Sequence, residues 1–148
     1  LKKLLPNICM INFKIVKPEG IVYSDAEVEK VTIPTKEGYI TVLPHHVPLI
    51  TILDAGELVV FKKDHEVPIA VSGGVAEIRK DNTVYILADA AERAEEIDLE
   101  RAEAGRKRAE VLLAQEEKAA DVDFARVQAS LEKEMNRLRI AKKYKPTR

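Results

Sequence analysis

Cationic side chains at helical spacing in the last third of the chain have the clearest capacity for chemistry. Two lie two turns apart on one predicted helix and two lie one turn apart on the next, namely Arg101, Arg108, Lys133 and Arg137. If these helices fold back on each other, the cations meet beside Glu92 and Asp98, which gives cations for phosphates and carboxylates for a ribose or a base amine. The spacing alone favours a simpler interpretation, a helix capped by Asp98 with ordinary surface ion pairs.

Residues for catalysis or metal binding show no comparable pattern. The three histidines fall in predicted loops, without cysteine or helical histidine spacing, at His45, His46 and His65. No carboxylate pair stands in an apolar setting, and no serine or cysteine lies in a nucleophile elbow. Ser72-Gly73-Gly74 lies between predicted strands, which favours a tight hairpin turn over a phosphate loop. We therefore expect a chain with no catalytic residue, no metal and no required cofactor.

Composition indicates a soluble globular chain with one domain and an appendage. Of its 148 residues 46% are hydrophobic and 33% charged, and the net charge of -1 argues against nucleic-acid binding. Cys9 is the only cysteine, so no internal disulfide is expected, and no apolar run reaches the length of a membrane span. Residues 1–9 precede the first methionine, Met10, and are predicted to be a disordered extension.

Charge is distributed unevenly along the chain. Residues 1–97 carry a net charge of -4 and residues 98–148 a net charge of +3. The end of the chain is a basic run without an acidic residue inside the cluster, formed by Arg137, Arg139, Lys142, Lys143, Lys145 and Arg148. A favourable interaction with the helix dipole explains part of this run, and an acidic partner surface is the functional alternative.

Residues 10–95 have the pattern of short strands separated by turns. Ile11–Val16 alternates apolar and polar residues, Thr83–Ala88 is a strong strand, and strands of five or six residues recur at about ten-residue spacing. Asp54-Ala55-Gly56 reads as a turn in which glycine takes a positive φ angle. The pattern predicts an antiparallel sandwich or barrel.

Residues 96–148 are predicted to form an antiparallel two-helix hairpin, which we call the arm. Asp98 is the predicted N-cap of the first helix, and the break between the helices falls near Asp121. Each helix has only a thin apolar stripe, comprising Leu99, Ala102, Ala109, Leu112 and Leu113 on the first and Phe124, Val127, Leu131, Met135 and Leu138 on the second. So little apolar surface predicts marginal docking and an arm that can open.

Six segments, in this order and spacing, resemble the epsilon subunit of bacterial-type F-type ATP synthases, called delta in mitochondria. They are Phe13–Val16, Gly38–Pro48, Val71–Gly74, Val84–Ala90, Ile97–Ala102 and Met135–Leu138. The resemblance implies an α+β fold with a ten-stranded antiparallel β sandwich followed by the helical hairpin. It also implies a peripheral place in the central stalk, on the cytoplasmic side of the bacterial inner membrane, in a complex that couples hydrogen ion transport to ATP synthesis.

The resemblance also implies partners and roles for particular residues. The sandwich would bind the gamma subunit and rest on the c-ring through a contact loop with Gly38, Tyr39, His46 and Pro48. The extended arm would reach the catalytic beta subunits, beside alpha, and inhibit ATP hydrolysis through Arg137, Arg139, Lys142 and Lys143. In some relatives ATP holds the folded arm down, and the matching positions are Glu92, Asp98, Arg101, Ala102, Arg108, Lys133 and Arg137.

Two departures from the family pattern bear on these roles. Lys133 stands where the ATP-binding relatives have arginine, which keeps the charge but loses the bidentate fork. Tyr39 and Thr41 follow Gly38 where many relatives have an acidic residue and then a glycine. The main hypothesis is a stalk subunit that restrains hydrolysis and senses ATP. The alternatives are a free ATP-binding sensor and a structural adaptor whose arm never extends.

Overall fold

The computed structural model describes residues 9–116 and 124–145. Of the predicted extension it describes Cys9 alone. The predicted break between the helices near Asp121 and the last residue of the basic run, Arg148, lie outside the described residues.

Eight strands precede two helices in the described part of the chain. The elements are β1 (Ile11–Lys17), β2 (Gly20–Val28), β3 (Lys30–Thr35), β4 (Gly38–Val42), β5 (Leu49–Ile52), β6 (Gly56–Phe61), β7 (Glu66–Ile78), β8 (Thr83–Arg93), α1 (Leu99–Glu116) and α2 (Phe124–Tyr144). A short 3₁₀ turn, Ala94–Glu96, joins β8 to the arm.

The strands pair in the order β2-β1-β8-β7-β6-β3-β4, and β5 pairs with β7. All pairs are antiparallel except β1 with β8, where Phe13 lies beside Val84 in a parallel register. Because side chains alternate along a strand, one row from each of several strands faces inward and forms a single apolar core. That core includes Phe13, Ile15, Val31, Ile33, Leu58, Ile69 and Ile86.

The ten strands that the resemblance implies are not confirmed, because the structure has eight strands among its described residues. Ser72-Gly73-Gly74 lies inside β7 instead of forming the predicted hairpin turn. Gly73 and Gly74 have φ angles of 70° and 119°, and a Cβ on Gly74 would lie 2.1 Å from the carbonyl oxygen of Leu87. These glycines let β7 change direction without breaking its pairing with β8.

Gly56 also has a different role from the predicted one. Its φ angle is not positive, and β5 pairs with β7 and not with β6 across this turn. A Cβ on Gly56 would lie 2.7 Å from the Cβ of Pro34 and 2.8 Å from the hydroxyl oxygen of Tyr39. Glycine is therefore required here by close approach of a neighbouring strand.

The arm is an antiparallel helix pair packed on the sandwich. Asp98 caps α1, because its Oδ1 accepts the Arg101 backbone N–H at 3.1 Å. Residues at the start of α1 share a small apolar cluster with the end of α2, which fixes the antiparallel direction. Among the described residues, no helix is both long and apolar enough to cross a membrane.

The apolar stripes of the arm agree only in part with the predicted ones. Ala102, Ala109 and Leu138 are buried, whereas Leu112, Phe124 and Met135 are about half exposed. The prediction of one thin stripe on α2 is wrong, because the helix also buries a second face that comprises Asn136, Ile140 and Ala141. The cluster around Ile140 and Ala141 includes Ala70 of β7, so this face docks the arm on the sandwich.

Candidate functional site at the junction of sandwich and arm

A cleft of about 380 Å³ lies between β7, β8 and the two helices. Five of the seven residues predicted to bind ATP line this cleft, namely Glu92, Arg101, Arg108, Lys133 and Arg137. The other two do not line it, because Asp98 caps α1 and Ala102 is fully buried. The volume is within the range of small-molecule pockets.

Arg137 is the most constrained cation in the cleft. Its Nε donates to Glu92 at 2.8 Å and its Nη1 donates to Glu134 at 2.7 Å, and its side chain is 13% exposed. Burial alone would lower the pKa of Arg137, but the hydrogen bonds to Glu92 and Glu134 outweigh it and raise the pKa. The Glu92 bond ties α2 to β8, so this ion pair joins the arm to the sandwich.

Three further cations of the cleft have side chains without a hydrogen-bond or ion-pair partner within residues 9–116 and 124–145. They are Arg101, Arg108 and Lys133. Lys17 also lines the cleft, and the carboxylates of Glu19 and Asp89 lie there as well. Unpartnered guanidinium and ammonium groups at a common cleft can bind a polyanion, and the carboxylates can accept hydrogen bonds from hydroxyl or amino groups.

Asn136 fastens the arm to the sandwich and was not found as a site residue from the sequence. Its side-chain amide donates to the carbonyl oxygens of Gly56 at 2.9 Å and Val71 at 3.1 Å, and the residue is 8% exposed. Arg139 donates to its Oδ1 at 2.9 Å, which orients the amide. The available signal was a polar residue between the apolar positions Met135 and Leu138.

Most of the described residues in the basic run of α2 have partners in this conformation. Arg137 is held by two carboxylates, Lys143 and Tyr144 bond to Glu57, and Lys145 donates to the Ile97 carbonyl at 2.8 Å. Lys142 is exposed and within electrostatic reach of Glu103. The folded arm therefore engages four of the five described residues of the basic run, namely Arg137, Arg139, Lys143 and Lys145, and opening would release these contacts.

The structure does not bring the four predicted contact-loop residues into one loop. Gly38, with φ of 112°, and the 58% exposed Tyr39 lie at the β3–β4 turn. His46 and Pro48 follow the opposite end of β4, where the His46 N–H donates to the Leu43 carbonyl at 3.1 Å. No group of His, Cys, Asp and Glu within the described residues is placed to hold a metal ion.

An exposed apolar row crosses the outer face of the sheet and was also missed. Cross-strand register places Ile52 beside Val75, Val75 beside Leu87, Leu87 beside Val16, and Val16 beside Ile21. Ile21, Ile52 and Leu87 are 52–63% exposed. A continuous apolar row of this kind marks an interaction surface. The strands are predictable from the sequence, but partner contact was expected at loops, because the order in which the strands pair in the sheet was unknown.

Comparison with known proteins gives a consistent result. The ATP synthase Delta/Epsilon chain β-sandwich domain matches residues 10–94, and the Delta/Epsilon chain long α-helix domain matches residues 95–142. The ATP synthase epsilon chain of Chloroflexus aggregans is 44% identical and covers 91% of this chain and 94% of its own length. That of Pediococcus pentosaceus is 40% identical and covers 90% and 96%.

Solved structures support the same fold. A chain of the Euglena gracilis mitochondrial ATP synthase aligns with a TM-score of 0.71 at 24% identity, covering 90% of this chain and 83% of its own length. A chain from the central stalk and c-ring of the Tetrahymena thermophila mitochondrial ATP synthase aligns with a TM-score of 0.56 at 16% identity, covering 90% and 95%.

Proposed function

The chain belongs to the ATP synthase delta/epsilon family, and we propose that it is a non-catalytic subunit of the central stalk of an F-type ATP synthase. In this role it links the gamma subunit to the c-ring and stays peripheral to the membrane, on its cytoplasmic side, through the complex. The matching relatives are named ATP synthase epsilon chain, and the structural neighbours come from assemblies that include the c-ring.

The apolar row on the sandwich is the surface we assign to the gamma subunit. It leaves Ile21, Ile52 and Leu87 more than half exposed to water, with Val75 38% exposed beside them, which is unfavourable for a surface without a partner. The double change Ile52→Ser and Leu87→Ser should leave the fold intact and reduce co-purification with gamma by at least tenfold. Val111→Ser, at a 55% exposed apolar position on α1, is the matched control. Unchanged co-purification of the double variant would reject this assignment.

The regulatory part of the proposal is that the arm opens and then inhibits ATP hydrolysis by the beta subunits. The observation that carries it is the nature of the arm's attachment. A small apolar cluster around Ile97 and Ile140, one buried amide and a few ion pairs hold it, and the same ion pairs occupy the basic residues that an acidic partner would bind. When the arm opens, Arg137 would leave Glu92 and Lys143 would leave Glu57, and both cations would pair with carboxylates of the partner instead.

The decisive experiment is ATP hydrolysis by the reconstituted catalytic hexamer with gamma, adding either the whole chain or a chain truncated after Glu96. Only the whole chain should slow hydrolysis. Charge reversal at Arg139 and Lys142 should relieve the inhibition, whereas Lys107→Glu on the exposed surface of α1 should not. If the whole and truncated chains both bind and neither slows turnover, the chain is a structural adaptor.

The unpartnered cations of the cleft favour a second element of the proposal, that ATP binds there and holds the arm down. Arg101 and Arg108 come from α1 and Lys133 from α2, so one polyanion would bridge both helices to the sandwich. Titration calorimetry on the full chain should detect ATP binding that Arg108→Ala weakens by about tenfold, a typical effect of losing one charge-assisted contact. Arg79→Ala, on the sandwich and paired with Glu77, is the control.

A further inference from the structure

Glu134 occupies an unusual position for a carboxylate in a cleft that attracts anions. It lines the cleft, its side chain is 13% exposed, and its Oε2 accepts from Arg137 Nη1 at 2.7 Å. A Cβ on Gly105 of α1 would lie 2.9 Å from the Glu134 Cδ. The only glycine of α1 therefore leaves space for this carboxylate between the two helices.

Arg137 differs from the other cations of the cleft for this reason. Arg101, Arg108 and Lys133 have no side-chain partner in the described part of the chain, whereas Arg137 already bonds two carboxylates. The Glu92 bond reaches across to the sandwich, but the Glu134 bond lies within α2, three residues away. Glu134 therefore reduces the positive charge of the cleft without adding a link between the arm and the sandwich.

We propose that Glu134 is a built-in competitor for the anionic ligand of this cleft. Without nucleotide its carboxylate occupies the anion position at Arg137. A phosphate group that reaches Arg137 must displace this carboxylate or accept its repulsion at close range. The inference rests on the proposed binding of ATP. It assigns to Glu134 the setting of the ATP concentration at which the arm responds.

The test compares ATP binding by the full chain and by three variants, using titration calorimetry at one fixed salt concentration. Glu134→Gln keeps the shape and removes the charge, and its dissociation constant should fall about tenfold below that of the unchanged chain. Glu134→Asp keeps the charge and should stay within about threefold. Glu132→Gln is the matched control, because this glutamate is exposed on α2 and does not line the cleft, and it should change binding less than twofold.

Inorganic tripolyphosphate is the second probe, because it carries the charge of the ATP phosphates without the nucleoside. The same gain for Glu134→Gln with both probes places the competition at the phosphates. If the unchanged chain binds ATP and Glu134→Gln binds it no better, the inference fails and the ATP-binding proposal stands. If neither chain binds ATP, both fail. A gain for Glu132→Gln equal to that for Glu134→Gln would show a general charge effect and overturn the inference.

Discussion

The sandwich buries large branched and aromatic side chains, whereas the arm buries mostly alanine and polar atoms. Phe13, Ile15 and Ile33 are inaccessible to solvent in the sandwich core. The arm buries fewer large side chains, Ile97, Leu138 and Ile140 among the described residues, beside Ala102, Ala109 and one amide.

This difference has an energetic consequence. Fully burying a large apolar side chain contributes about 1.5–3 kcal/mol, whereas a typical hydrogen bond contributes about 0.5–1.5 kcal/mol net and an exposed ion pair about 0–1 kcal/mol. Side-chain burial in the sandwich therefore makes many large contributions to stability, whereas the contacts of the arm make a few, mostly small ones. A molecule with this division can release its arm while the sandwich stays folded, as the proposed regulation requires.

The largest loss of stability is predicted for a substitution in the sandwich core. Phe13→Ala removes a fully buried ring and should lower the free energy of unfolding by about 3–5 kcal/mol. The loss should appear in urea denaturation followed by circular dichroism. Ile50→Ala, at a 72% exposed position on β5, should change stability by less than about 0.5 kcal/mol. A loss below about 1 kcal/mol for Phe13→Ala would contradict the assignment of the core.

The second prediction concerns the attachment of the arm. Asn136→Ala leaves the carbonyl oxygens of Gly56 and Val71 without these side-chain bonds and should weaken arm docking by about 1–3 kcal/mol. Native-state hydrogen exchange should show faster exchange in α1 and α2, with β1 and β8 unchanged. Gln128→Ala, at an exposed position of α2, is the control. Equal acceleration in β1 and β8 would show that the arm and the sandwich unfold together.

The parts of the fold that depend on local pattern were predictable from the sequence. Period-two alternation located β1 and the start of β8, and Asp98 was recognised as an N-cap from its position alone. The convergence of Arg101, Arg108, Lys133 and Arg137 also followed from helical spacing and an antiparallel hairpin.

Features that depend on which strands become neighbours were not predictable. Gly73 and Gly74 were read as a turn because the same residues serve in turns and in bent strands, and only the close approach of Leu87 distinguishes the two. The apolar row joins residues from five strands whose order the sequence does not state. Asn136 was missed because its partners are backbone carbonyls, which carry no side-chain signal.

The smallest predicted effect is a loosening of the docked arm at alkaline pH. The hydrogen bond to Glu57 is the main cause that raises the pKa of Lys143, and burial followed by the bond to Glu57 raises the pKa of Tyr144. Because both pKa values are raised, Lys143 and Tyr144 favour their protonated forms when the arm is docked. This contribution is complete below the unfolded-state pKa values of about 10, and it is lost as pH rises through the raised folded-state values.

The sandwich has its own ion pair, between Lys62 and Asp25, which titrates at both ends of the pH range. On the alkaline side, the hydrogen bond to Asp25 raises the pKa of Lys62, and burial followed by the bond to Asp25 raises the pKa of Tyr23. Burial would raise the pKa of Asp25, but hydrogen bonds from Lys62, the Glu27 N–H and Tyr23 outweigh it and lower the pKa. That contribution is present above the unfolded-state pKa of about 4 and is lost as pH falls through the lowered folded-state value. Raising the pH from 8 to 11 should accelerate limited proteolysis of the arm before the sandwich unfolds, because the sandwich keeps the large apolar contributions of its core.

The expected size of this alkaline effect is up to about 1 kcal/mol, because Lys143 is largely exposed to solvent. Glu57→Gln should loosen the arm at pH 8 and remove the part of the further loosening at pH 11 that comes from Lys143, since the main cause of its raised pKa is gone, whereas burial still raises the pKa of Tyr144. Glu37→Gln, an exposed carboxylate in the β3–β4 turn, should retain the full alkaline response. If Glu57→Gln and the unchanged chain respond equally to pH, the alkaline loosening does not arise from Lys143.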